Sequence, residues 1–347
     1  MKKKVISVLK LFFFLGLGAL FIWLFVKDLT QNEVTEIFSA FRNADYLWVI
    51  ITLFIAVISH IMRTLRWQML IRPLGYQTGF KNVFMALMIG YFANLALPRL
   101  GEVTRCSVLA KYEKVPFQKG LGTVVAERAF DVICFLVLFV INLIVQYDLI
   151  HHYVMESVWI PLKLKFSVLG QGYLLYGILG AVVLFILLFL LFRKKLENFS
   201  LYRKITGIFR GFLEGIRSLG RIRRAWLFLT YTVLMWLMYY LMTYLCFYSI
   251  AGMGDAGMLA GFSVLVLGTI GIMVVQGGIG IYPAIVAETL VLYGAVSTTA
   301  YALGWLIWSA QTAALVLAGL VSLILLPILN KNNHGKPGSP ETENPVG

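Results

Sequence analysis

The chain has 347 residues, of which 60% are hydrophobic and only 13% charged, and its mean hydropathy is +0.84. No single water-soluble core absorbs that much apolar surface, so an ordinary soluble globule is excluded and lipid is the expected solvent. A net charge of +14 would suggest nucleic acid in a soluble protein. In a membrane chain it reads as the Lys and Arg excess of cytoplasmic loops, and no nucleic-acid partner is expected.

A span of the hydrocarbon core takes roughly 20 helical residues. Lys2-Lys3-Lys4 precede an apolar run from Val5 to Val26 that resembles a signal peptide. It is too long and lacks a small-residue cleavage site, so it is expected to stay as a signal anchor. Tyr46 to Met62 is the second span. Phe80 to Leu97 is also apolar, but if it crossed the membrane, Arg99, Arg105, Lys111, Lys114 and Lys119 would face outside, against the positive-inside rule. A re-entrant hairpin removes the conflict: in from the cytoplasm, a turn at Pro98-Arg99-Leu100-Gly101, and back as a half-helix to Tyr112.

Leu121 to Gln146 and Phe166 to Phe192 follow as full spans. Residues 199–224 form a basic amphipathic segment on the cytoplasmic side; Ile205, Ile208, Phe209, Phe212 and Ile216 would enter the interface beneath anionic headgroups. A solvated charged loop is the plainer alternative. Ala225 to Ile250 spans again. Met258 to Tyr293 breaks at Gln276-Gly277-Gly278-Ile279-Gly280, and a second hairpin, dipping in from outside, keeps Lys331 and Lys336 cytoplasmic. Thr299 to Leu329 is the last span, and residues 330–347, rich in Asn, Gly, Pro and Glu, read as a disordered tail.

The expected fold is an all-α polytopic bundle, one transmembrane domain over residues 1–329, with about six full spans and two re-entrant hairpins. Eight ordinary spans are the alternative. Span, hairpin and span occur from Tyr46 to Gln146 and again, in opposite orientation, from Ala225 to Leu329. Inverted repeats with broken helices are a transporter architecture whose site lies at the breaks. The expected location is a bacterial-type inner membrane, with both termini cytoplasmic.

Charges inside the apolar segments mark the candidate site. Arg99, Glu102 and Arg105 recur at spacings of three and would share a face of the returning half-helix. Glu127 and Asp131 stand at i and i+4, with Arg128 beside them. Each buried ion costs at least about 2.5 kcal/mol on insertion scales, so such groups usually face a polar interior and pair. Arg99, Arg105 and Arg128 would hold a phosphate, while Glu102, Glu127 and Asp131 orient them or accept a proton or cationic group. The plainer reading is that the charges brace the hairpin against the span. Gly277, Gly278 and Gly280, flanked by Gln276, Pro283 and Glu288, make a second, weaker candidate, where freed amides would face an anion. Cys106, Cys134 and Cys246 lie apart with no paired spacing, so neither a disulfide framework nor a metal site is indicated.

Three motifs carry a resemblance: N-L-A-L-P-R-L-G-E-V-T-R-C at Asn94 to Cys106, A-E-R-A-F-D at Ala126 to Asp131 and Q-G-G-I-G-I-Y-P at Gln276 to Pro283. Together they resemble the lysylphosphatidylglycerol synthase transmembrane-region family of flippase-like membrane proteins, over nearly the whole chain. The resemblance implies a polar cluster at Pro98, Arg99, Gly101, Glu102, Arg105, Glu127, Arg128 and Asp131 and a glycine-rich break at Gly277, Gly278 and Gly280. Many members follow that break with an Arg-Glu pair where this chain has Tyr282-Pro283, leaving Glu288 as the replacement acid.

What the family implies is lipid translocation between leaflets. The aminoacyl-transferase domain of the synthase is not part of this sequence, so synthase activity is not expected. The leading expectation is a flippase for an anionic phospholipid or polyprenyl-phosphate-linked lipid, working without cofactor; no P-loop is present to hydrolyse ATP. The alternatives are a membrane-embedded lipid-modifying transferase and a non-catalytic subunit of a separately encoded lipid synthase. A second copy of the chain is the other partner this reading admits.

Overall fold

A computed structural model describes residues 29–97, 99–147 and 224–331, with isolated positions at 22, 23, 27, 155, 160 and 180. The expected spans Val5 to Val26 and Phe166 to Phe192, the basic segment 199–224 and the tail 330–347 lie outside the described residues, apart from a few of these positions. Among the described residues all regular structure is helical. The principal helices are α1 (Gln31–Arg42), α2 (Tyr46–Ile71), α3 (Phe80–Ala96), α4 (Leu100–Tyr112), α5 (Phe117–Val145), α6 (Ala225–Leu245), α7 (Gly257–Val274), α8 (Ile281–Val291) and α9 (Ser297–Leu329).

Among the described residues five stretches are long and apolar enough to cross a membrane: Tyr46–Leu74, Phe117–Val145, Ala225–Ser249, Met253–Val274 and Ser297–Leu329. The chain is therefore a polytopic helical membrane protein. Four of these coincide with expected spans. The fifth, Met253–Val274, is long enough to cross without α8, which makes the second hairpin asymmetric. α2 also runs beyond its expected end at Met62. Arg63 and Arg66 read as the edge of the span, yet both are buried within α2, where neighbouring aromatic and hydroxyl groups receive them.

The chain divides into two compact units, Met1–Val124 with Ile222–Gly347, and Val125–Arg221. Within the first, α2 packs on α6, α3 on α4, and α9 on both α3 and α8. One apolar core joins Val49 of α2 and Phe247 to Val264 of α7, Val286 and Leu290 of α8, and Leu303 and Ile307 of α9. A second joins Trp67 and Ile71 to Val83, Cys106 and Leu109.

The α3/α4 hairpin is held at both ends. At its base Glu113 accepts from Gly79 N at 2.9 Å and from Asn82 Nδ2 at 2.6 Å, so the two helix ends lie side by side. Asn82 also exchanges amide bonds with Asn330, tying the hairpin to the end of α9. Towards the tip, Gly90 and Gly101 bring the two backbones together: a methyl group at Gly101 would collide with the Gly90 carbonyl oxygen. Small residues are what permit so close a crossing.

Candidate functional site

Two turns interrupt the helical packing, and their backbones match. α3 ends at Leu97 in extended conformation (φ −146°, ψ 138°), and the Leu100 amide donates back to the Leu97 carbonyl at 3.2 Å. α7 ends at Val275, also extended (φ −111°, ψ 131°), and the Gly278 amide donates to the Val275 carbonyl at 2.8 Å. The third residue of each turn is left-handed: Arg99 at φ 63°, ψ 1° and Gly277 at φ 69°, ψ 1°. Glycine is the ordinary occupant of that position in such a turn. At the first turn an arginine occupies it instead, and Asn94 caps the returning helix by accepting from Gly101 N at 2.7 Å.

Both turns line one cavity of about 290 Å³. Arg99 and Gly277 contribute from the two turns, Tyr91 and Asn94 from α3, and Trp308, Gln311 and Thr312 from α9. Trp308 Nε1 donates to the Gly277 carbonyl at 2.6 Å, which fixes the second turn against α9. Tyr282, Ile272, Gln311 and Leu315 line this cavity and also a second, largely apolar one of about 360 Å³. Lining the second are His60 and Arg63 of α2, Trp236 and Tyr239 of α6 and Thr269 of α7. No carboxylate is among the described residues lining either cavity, whereas two arginines are.

The expected site residues distribute unevenly around these cavities. Arg99 and Gly277 meet at the first; Gly278 and Gly280 lie buried in the same second turn, both with positive φ. Arg105 is buried, its guanidinium carbon 4.6 Å from the centre of the Trp67 ring, and Glu102 is half-buried one turn earlier. Arg99 precedes the first turn of α4, so it does not continue the face that Glu102 and Arg105 occupy. In the second unit Glu127 is fully buried and Arg128 stands 3.9 Å from Asp131 along α5. Glu288 is exposed on α8 and lines neither cavity. Among the described residues no group of three His, Cys, Asp or Glu is arranged to hold a metal.

The family described as "Lysylphosphatidylglycerol synthase TM region" matches residues 7–327. The chain belongs to that family. Its relatives among curated sequences include a UPF0104 membrane protein of Methanocaldococcus jannaschii, 33% identical over 112 residues, covering 31% of this chain and 33% of the relative. Another UPF0104 membrane protein, of Methanothermobacter thermautotrophicus, is 30% identical over 120 residues, 33% of this chain and 36% of the relative. A third, named Glycosyltransferase AglD, of Haloferax volcanii, is 28% identical over 102 residues, 29% of this chain and 16% of the relative. The chain thus spans about a third of the length, or less, of the curated relatives it matches. No solved structure matches it.

Sequence reasoning in this lysylphosphatidylglycerol synthase TM region chain missed His60, Arg63, Tyr91, Trp236 and Tyr239. The available signal was the pair of arginines in Ser59-His60-Ile61-Met62-Arg63-Thr64-Leu65-Arg66-Trp67, which directly continues an apolar span with no Gly or Pro to end the helix. Ending the expected span at Met62 left them out.

Proposed function

We propose that this protein moves an anionic lipid between the leaflets of its membrane, taking the headgroup at the two turns and the chains in the adjoining apolar cavity. The observation that supports this most directly is Arg99. A non-glycine residue in the left-handed region costs about 1–2 kcal/mol, and strain of that kind persists where the structure uses the side chain. Here the side chain is a guanidinium lining a cavity that has no carboxylate among its described lining residues. A guanidinium suits phosphate oxygens through paired, charge-assisted hydrogen bonds.

The same reading takes the α3/α4 hairpin as re-entrant. At about 1.5 Å per residue its helices measure roughly 26 and 20 Å, short of a hydrocarbon core of about 30 Å. Its Lys111, Lys114 and Lys119 then join Arg72 on the cytoplasmic side, with both termini. The matching backbones of the two turns support an inverted repeat whose broken ends meet at the substrate. Glu102, Glu127 and Asp131 are the carboxylates whose protonation would favour one state over the other as the inward- and outward-facing states exchange. An anionic phospholipid and a polyprenyl-phosphate-linked lipid both fit this chemistry. A separately encoded lipid synthase is the partner that such a transporter would serve.

The test uses Arg99→Gly, which keeps the left-handed backbone at no steric cost and removes only the guanidinium. In proteoliposomes, fluorescent phosphatidylglycerol should change leaflet in the presence of the wild-type protein, and at least tenfold more slowly with the variant. Unchanged movement with Arg99→Gly would sink the reading. The relative named as a glycosyltransferase favours a second one, a transferase acting on a membrane lipid. Transfer of a sugar or phosphoalcohol by the purified chain that is abolished by a chelator would select it.

A further inference from the structure

Three helices bring polar groups to one corner of the apolar cavity. Arg63 of α2 is buried, and its Nη1 donates to the hydroxyl of Tyr91 on α3 at 2.8 Å and to that of Tyr239 on α6 at 3.1 Å. Beside it, buried Nδ1 of His60 and Nε1 of Trp236 have no hydrogen-bond partner. Both side chains line the cavity. An indole N–H has only a proton to offer, and a buried one ordinarily finds an acceptor. Tyr91 accepts from Arg63 and still has its own proton to give. It also lines the neighbouring cavity, as Arg99 does, so one phenol is bonded to Arg63 and shares a cavity with Arg99.

We propose that this corner is a second anion station, at which the phosphate of a lipid is received by Arg63, Tyr91 and Trp236 after leaving Arg99. The occupant is a phosphate ester carrying an apolar chain. Arg63 and Trp236 line the cavity from two helices while Tyr91 of a third is bonded to Arg63, no described lining residue is acidic, and much of the cavity wall is aliphatic and aromatic: Leu53, Phe84, Met88 and Leu265 among others. The cavity volume of about 360 Å³ lies within the range in which small-molecule sites occur. Arg63 lines the cavity and donates to the two phenols, which fix its guanidinium there. Tyr91 passes the ligand between stations because it is bonded to one and exposed to the other. This station deepens the transport reading and rests on it for the direction of travel, but its ligand binding is measurable without transport.

The experiment is equilibrium binding to the full chain in detergent, read by native mass spectrometry. The probes are phosphatidylglycerol, a polyprenyl phosphate, diacylglycerol as neutral control, and inorganic phosphate as competitor. Tyr91→Phe and Trp236→Phe each remove one donor and keep the ring, so they preserve packing; Arg63→Gln is the stronger but riskier change. Each should weaken binding of one or both phosphate lipids about tenfold and leave diacylglycerol binding unchanged, and which lipid responds identifies the chain. Both Phe variants binding the two phosphate lipids as the wild type does would overturn the proposal. Inorganic phosphate competing as well as lipid would overturn the lipid assignment. If Arg99→Gly stops lipid movement while the corner variants move and bind lipid normally, the second station falls and transport stands. If the corner binds phosphate lipids that never change leaflet, transport falls and the station stands.

Discussion

Arg99 and Gly277 hold the same backbone angles at corresponding places in two turns, but they hold them for different reasons. Glycine takes the left-handed region freely; arginine takes it at a cost that the surrounding packing must offset. Asn94 helps, by closing the turn onto the Gly101 amide. The glycines nearby also differ from one another. Nothing lies within 4 Å of a methyl group added at Gly277, so Gly277→Ala meets only the unfavourable φ of 69°, a cost of about 1–2 kcal/mol. At Gly101 the added methyl would collide with the Gly90 carbonyl, and Asn94 Cγ would lie at 2.7 Å. Neither neighbour can move without opening the hairpin. Thermal melts in detergent should therefore show Gly101→Ala losing more stability than Gly277→Ala, and a reversed order would refute the close-approach account.

Among the elements, α1 shows how local chemistry starts a helix that has no fully buried residue, although Ile37, Ala40 and Phe41 pack against the core. Thr30 Oγ1 accepts from Glu33 N at 3.3 Å, and the Glu33 carboxylate accepts from Thr30 N at 2.7 Å, satisfying two end donors reciprocally. Those bonds, from the Thr30 backbone first and its hydroxyl second, lower the Glu33 pKa from its ordinary value. A lowered folded-state pKa means stability that is present above the unfolded pKa of about 4.3 and lost as pH falls through the folded value. Amide exchange at Thr30 should accelerate as pH drops below about 4 relative to a Glu33→Gln chain, after correction for intrinsic exchange. No difference between the two would remove the box. At the other end of the same unit Thr298 donates to Glu36 at 2.9 Å, so α1 is moored to the start of α9 rather than left free.

At the scale of the whole molecule the orientation of the hairpin decides the topology. Gly79 and Glu113 are hydrogen-bonded, so whatever the depth of the tip, the two ends share a side. In the proposed topology that side is cytoplasmic. Single cysteines placed at Gln77 and Lys111, both exposed, should react with a membrane-impermeant maleimide in inverted vesicles and not in right-side-out cells. Labelling of Gln77→Cys and Lys111→Cys from opposite sides would contradict the hairpin itself. Labelling of both from outside would invert the topology and move the basic loops against the positive-inside rule.

The amino-acid sequence by itself determined that lipid is the solvent, where four of the five long apolar helices lie, and that the chain breaks at Pro98 to Gly101 and at Gln276 to Gly280. Those are properties of apolar run length, of Gly and Pro, and of charge that must not be stranded in hydrocarbon, all of which act locally. It also named Arg99, which lines a cavity in the fold. Only the tertiary structure decided that the two breaks face one cavity, that Glu288 lies away from it, and that Arg105 stacks on Trp67 instead of following Arg99. Arg63 is the clearest case. In sequence it stands just past the expected end of a span at Met62; in the fold, Tyr91 and Tyr239 come from positions 28 and 176 residues away to hold it inside. A buried ion is tolerated when partners meet it, and partners supplied by other helices leave no mark on the sequence around it.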